Sequence, residues 1–203
     1  MESLAGVGAA ALALMGYPSY VHGVLRGTTR PAVTSWCAWF LSAAIVTGAQ
    51  IVARSGAGTL LAAAQVVGLG AVVIISTRRS AWHPRRPDVA CIVIALVGAA
   101  LGLIISSPGI AVAAAIAGNL VAGVPTYLSV LTNPDAESPW LWLCCGAAGG
   151  LAVVAAPAIT LAHAGYGIYI LIADLTIGCT ALRGRPGHAL APSSRHASTS
   201  AEA

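Results

Sequence analysis

The feature that most constrains this chain is a succession of apolar runs of about 20 residues, separated by short polar breaks. Twenty residues of α-helix rise about 30 Å, the thickness of a bilayer's hydrocarbon core. Seven runs occur, at roughly 4–25, 35–53, 56–77, 89–106, 109–131, 139–157 and 161–182. The breaks are Arg26 to Thr34, Arg54-Ser55, Arg78 to Asp88, Ser107-Pro108, Thr132 to Ser138, and a weak one near Pro157. Composition decides whether these runs face lipid or a large core. Only 8% of the residues are charged and 58% are hydrophobic, whereas a soluble domain carries about 25% charged residues. A globule of 203 residues cannot hide that much apolar surface from water. The runs are continuous rather than alternating, which excludes a lipid-facing β-barrel. The expected fold class is therefore an all-α polytopic membrane protein with seven transmembrane helices. Soluble enzymes, nucleic-acid modules and secreted disulfide scaffolds are excluded with it.

The basic residues set the orientation. All ten are arginines. With the N-terminus outside, Arg54 alone faces out and the other nine fall in the cytoplasm, as the positive-inside rule demands. The net charge of +4 is thus a topology signal rather than a nucleic-acid footprint. The first run lacks a basic leader and carries Glu2, so it reads as a span and not as a cleaved signal peptide. The segment 184–203, rich in Ser, Ala and Pro, cannot bury enough apolar surface to fold and is expected to be a disordered cytoplasmic tail. Short loops and the Ala, Gly and Arg content suggest a bacterial inner membrane, with the C-terminus inside.

Chemistry is sparse. Cys37, Cys91, Cys144, Cys145 and Cys179 all lie in spans and read as small packing residues. His22, His83, His163, His188 and His196 lie at boundaries, in loops or in the tail, with no spacing that suits a metal. No nucleophile–base pair or phosphate loop occurs, so neither an enzyme nor a cofactor is expected. A retinal protein needs a Schiff-base lysine, and the chain has none. Gly98-x-x-x-Gly102 and Gly146-x-x-x-Gly150 have the spacing of closely packed helices.

Polar groups inside spans cost free energy and so mark function or a partner. Asp174 is the only acidic residue within a span, about 13 residues down the seventh. Asn119 in the fifth span and Gln65 in the third lie about 14–15 Å below the outer boundary. Each either lines a cavity or makes a structural hydrogen bond, for Asp174 with Tyr127 or Asn119. Desolvation favours the neutral form of a carboxyl, which suits Asp174 to carry a proton; if charged, it suits a cationic solute. Tyr166 is placed two turns before Asp174 to bond a ligand or to anchor at the interface, with Tyr169 on the same face. Trp36, Trp39, Trp140 and Trp142 begin inner helix ends, where an aromatic belt is expected. Stacking on a solute is the alternative for these four, with Trp39 the deepest candidate.

The chain repeats itself. Pro18-Ser19-Tyr20 near the end of the first span returns as Pro125-Thr126-Tyr127 near the end of the fifth, 107 residues later. Each is followed by a loop with proline (Pro31, Pro134) and a tryptophan pair opening the next span. Arg78-Arg79 and Arg183 with Arg185 close the third and seventh spans. Residues 4–77 and 109–182 thus read as two three-helix units within a membrane domain of residues 1–183. The span at 89–106 is a linker helix that reverses the chain and makes the units parallel.

In this 3+1+3 arrangement, Tyr17-Pro18, Arg30-Pro31 with Trp36, and Pro125 resemble the SWEET and PQ-loop superfamily of small transporters over about residues 4–182. The stretch Thr29-Arg30-Pro31-Ala32-Val33-Thr34-Ser35-Trp36 is similar to that of uncharacterised bacterial members. The resemblance implies a solute pocket between the units, contacted by an amide on each third helix. By helix and depth, Asp174 takes that place in the second unit and Gln65 in the first. It also implies that Pro18, Pro31, Pro125 and Pro139 are hinges of the cytoplasmic gate; simple kinks that improve packing are the alternative. The expected function is a small-solute transporter, for a sugar or an amino acid-like solute, working by alternating access between the units. Transport is either passive or proton-coupled through Asp174. The alternative is a non-transporting membrane receptor or accessory protein on the same fold. The expected partners are a small polar solute and membrane lipids, with no nucleic acid; a homo-oligomer is compatible with the pattern.

Overall fold

The computed structural model describes residues 1–27, 29, 31–79, 93, 96–97, 100, 106–134 and 137–183. All regular structure among them is helical. The elements are α1 (Glu2–Arg26), α2 (Val33–Val52), a 3₁₀ turn (Gly56–Gly58), α3 (Thr59–Arg79), α4 (Pro108–Thr132), α5 (Pro139–Val154), a π turn (Leu161–Gly165) and α6 (Tyr166–Arg183). Five stretches are long and apolar enough to cross a membrane: Glu2–Arg26, Val33–Val52, Gly56–Arg78, Pro108–Thr132 and Leu161–Arg183. Most of the expected linker span at 89–106 lies outside the described residues, as do Arg30, Cys91, Gly98, Gly102 and the tail at 184–203.

Local chemistry sets the helix ends. α4 and α5 both begin on proline, where the missing N–H costs nothing and the fixed φ favours the first turn. α1 stops at Gly27, whose φ of 73° lies in the left-handed region that glycine reaches without strain. Its N–H returns to the Val24 carbonyl at 3.2 Å, satisfying one orphan acceptor of the last turn. The sixth expected span, 139–157, is shorter than its apolar run: α5 ends at Val154. Pro157 follows three residues on, and the residue before a proline avoids helical backbone. Thr160 is extended, and its Oγ1 accepts the His163 N–H at 3.4 Å to start the next helical stretch.

α1 packs against α3 and α5, α3 against α2, α2 against α4, and α5 against α6, while α4 meets the π turn and α6. Lipid tails are as apolar as leucine, so close backbone contact, not hydrophobic exclusion, must hold such a bundle. Glycines provide it along the α5–α6 seam. A Cβ on Gly149 would lie 2.6 Å from the Leu171 nitrogen, and one on Gly146 would lie 2.7 Å from Leu175 Cγ. The expected pair Gly146 and Gly150 is therefore corrected by one position. Gly150 would meet only Leu171 Cδ1, at an ordinary 3.6 Å. The helix turns 300° over three residues, so Gly146 and Gly149 share the face that α6 covers. Val67, Val121, Leu128 and Ile172 are left on the exposed perimeter.

Candidate functional site

A cavity of about 40 Å³ opens where both halves of the chain meet, with a wall contributed by all six helices. Asp174, Asn119, Gln65, Tyr166 and Trp39, expected from sequence as solute contacts, all line it. Gln65 and Asn119 are each 3% exposed and Asp174 is 7% exposed, so all three are withdrawn from both lipid and water.

Each polar group is held by a different helix pair. The Tyr17 hydroxyl on α1 donates to Gln65 Oε1 on α3. The Tyr17 ring lies against Gly68, one turn further along α3, where any Cβ would overlap it. Trp39 Nε1 on α2 donates to the Asn119 carbonyl on α4 at 3.2 Å. The Asn119 amide faces the Tyr166 hydroxyl, while its Oδ1 is buried with no hydrogen-bond partner. Asp174 makes no side-chain hydrogen bond to another described residue. Tyr127, one expected structural partner for that carboxyl, instead donates to the Ala173 carbonyl at 3.2 Å. Among the described residues, no group of three or more His, Cys, Asp or Glu stands close enough to hold a metal.

One end of the cavity is closed by aromatic rings. Tyr20 and Trp36 lie 4.6 Å apart, Trp36 and Trp39 5.4 Å, and Trp39 and Trp142 5.7 Å, the last two pairs edge to face. Such geometry sets the positive ring edge against a negative face. The expected aromatic belt is therefore corrected. Of the four, Trp36, Trp39 and Trp142 are buried, and Trp140, 53% exposed, remains on the perimeter. Buried indole N–H groups need acceptors, and they have them: Trp39 uses Asn119, and Trp142 uses Glu137 Oε2 at 3.1 Å. Glu137 lies in the loop before α5. Burial pushes its carboxyl up to about 7, against the pull of the Trp142 hydrogen bond.

A second polar cluster lies at the far end of α2. Gln50 Nε2 donates to the His163 carbonyl at 3.1 Å, and Ser55 Oγ pairs with His163 Nδ1 at 2.7 Å. Arg54, at φ 55°, makes the tight turn that sends Ser55 inward. The cluster ties the first three helices to the π turn of the last three.

The expected hinge prolines fall into two kinds. Pro18 and Pro125 interrupt the hydrogen bonding of continuous helices and are exposed. Pro31 precedes the first turn of α2 and Pro139 opens α5, where neither removes an internal hydrogen bond. Sequence reasoning missed Tyr17 and Cys145 as cavity-lining groups. A signal existed for Cys145: it lies three residues after Trp142, on one helical face, and Trp142 belongs to the repeated tryptophan pair. Tyr17 had only its place beside Pro18.

No protein-family model matches the chain, nor does any curated protein or solved structure.

Proposed function

We propose that the chain is a small-solute membrane transporter in which two parallel three-helix units, α1–α3 and α4–α6, joined by a linker span at 89–106, alternate access to the cavity between them. One observation carries this reading. Asp174, a buried acid well inside a span, shares a cavity with Gln65 and Asn119, and both halves of the chain build its wall. An aspartate at mid-bilayer costs about 2.5–3.5 kcal/mol on insertion scales. A carboxyl with no hydrogen-bond donor among the described residues, in one cavity with the unpartnered Asn119 Oδ1, recovers little of that from them. The recovery is expected from a solute.

The helix contacts support the repeat. The first helix of each unit meets the second helix of the other, α1 with α5 and α2 with α4, which a two-fold axis along the membrane normal would produce. Gly16 and Gly123, separated by the repeat length of 107, lie at these crossings, against Leu141 and Trp39 respectively. The resemblance to SWEET and PQ-loop proteins supplies the motion: the tryptophan pair Trp39–Trp142 gates one end and the Gln50–Ser55–His163 cluster the other. The arginine distribution supports an N-terminus outside, and the short loops with the Ala, Gly and Arg content support a bacterial inner membrane.

Counterflow in proteoliposomes tests the proposal without knowledge of a coupling ion. Vesicles preloaded with one unlabelled solute are followed for uptake of its labelled form across sugars, amino acids and amines. Transient accumulation of a solute, absent from protein-free vesicles, is the expected result. Silence across the panel from protein with a monodisperse elution profile would overturn transport in favour of a receptor or accessory role.

A further inference from the structure

We infer that the cavity recognises a compact organic monocation, an amine or guanidinium without a carboxylate, in exchange for the proton of Asp174. The inference rests on the transport reading above and narrows its solute.

Charge comes first. Among the described residues, no arginine or histidine lines the cavity. The titratable groups facing Asp174 are Tyr17 from α1, Tyr127 from α4, Cys145 from α5, and Tyr166 and Tyr169 from its own helix. α2 and α3 contribute Trp36, Trp39, Gln65 and Leu69, none of which titrates. Every described group that can ionise there becomes negative, so a phosphate or the carboxylate of a zwitterion finds no counter-charge among the described residues. A cation finds Asp174.

Hydrogen-bond capacity agrees. Asn119 Oδ1 is a buried acceptor without a partner, and the Asp174 carboxylate offers acceptors with no protein donor among the described residues. Such a site needs a ligand rich in N–H donors, as ammonium and guanidinium groups are. Trp and Tyr rings supply much of the remaining wall, and ring faces attract cations within about 6 Å, most strongly when water is excluded. Size agrees as well. A water needs about 10–15 Å³ of such space, so 40 Å³ holds a few atoms and not a hexose unless the units part.

Exchange follows from mass action. The single carboxyl is neutralised either by a proton or by the cation, not by both. Binding therefore breaks the Asp174 O–H bond, sends one proton to the water on the side then open, and leaves an ion pair. Net charge in the cavity is conserved.

Guanidinium chloride at millimolar concentration, with urea as its neutral counterpart of the same shape, is the probe. Proteoliposomes preloaded with guanidinium are expected to accumulate labelled guanidinium, and those preloaded with urea to show no labelled-urea accumulation above protein-free vesicles. The apparent affinity for guanidinium should weaken as pH falls, by up to about tenfold per unit for one competing proton. D174N, checked for a monodisperse profile, should abolish accumulation, whereas D174E, which keeps the charge, should retain part of it. Counterflow of a sugar or amino acid without guanidinium would overturn the cation while leaving transport standing. Guanidinium accumulation that ignores pH, or that survives D174N, would overturn the role of Asp174. Silence for every solute would overturn both readings.

Discussion

The slot at Gly68 shows how one missing atom organises the cavity wall. The Tyr17 ring occupies the space where a side chain would begin, and that position brings its hydroxyl to Gln65. G68A should push the ring away and break the contact, an overpacking change that typically costs about 1–3 kcal/mol. Y17F keeps the ring and loses only the hydroxyl's bond, worth about 1 kcal/mol net. Thermal unfolding in detergent should therefore show a larger drop in Tm for G68A than for Y17F; the reverse order would place the contribution in the hydrogen bond and not in the packing. Gln65, Asn119 and Asp174 could be read from the sequence because polarity within an apolar run is conspicuous and costly. Tyr17 could not, because an aromatic side chain is equally at home facing lipid, core or solute, and Cys145 only through the helical face it shares with Trp142.

The joints between elements were legible to the extent that proline and glycine mark them. Pro108, Pro139 and Gly27 stand at observed ends, whereas the 155–160 break is wider than the apolar pattern suggests, since Pro157 affects the residues before it as well as its own. The loop opening α5 also carries an acid, Glu137, whose titration burial brings into the neutral range. Glu137 accepts from Trp142 and is held protonated up to about 7 by burial. Between the ordinary glutamate range and that value, the native protein binds a proton that the unfolded chain has released. Stability should therefore fall as pH rises through this window. E137Q removes the titration, so its Tm measured against pH should be flatter than that of the parent from about 4.5 to about 7. Parallel curves would show that another group governs the pH dependence. Along the α5–α6 seam, G149L would drive a side chain into the Leu171 backbone, and loss of the monodisperse elution profile is the expected outcome.

At the scale of the whole molecule, hydropathy marks where the apolar helices run but not which helix touches which, because lipid-facing and helix-facing residues are both apolar. The repeat at Pro18 and Pro125 suggests two equivalent units, yet the crossed contacts of α1 with α5 and α2 with α4 have no local sequence signal beyond small residues. If alternating access operates, something must hold the cavity shut at the end away from the tryptophans, and the Gln50–Ser55–His163 cluster is the polar tie across the halves there. S55A removes one of its hydrogen bonds, worth about 1 kcal/mol, which shifts a two-state equilibrium about fivefold. Cys145 on the cavity wall reports the shift. With the other cysteines replaced, its labelling by a polar maleimide should quicken about fivefold in S55A, and guanidinium should slow it by occupying the cavity. An unchanged labelling rate would mean that the cluster is a static joint and that the cavity opens elsewhere. Quickening that guanidinium does not oppose would keep the gate and remove the cation from the site.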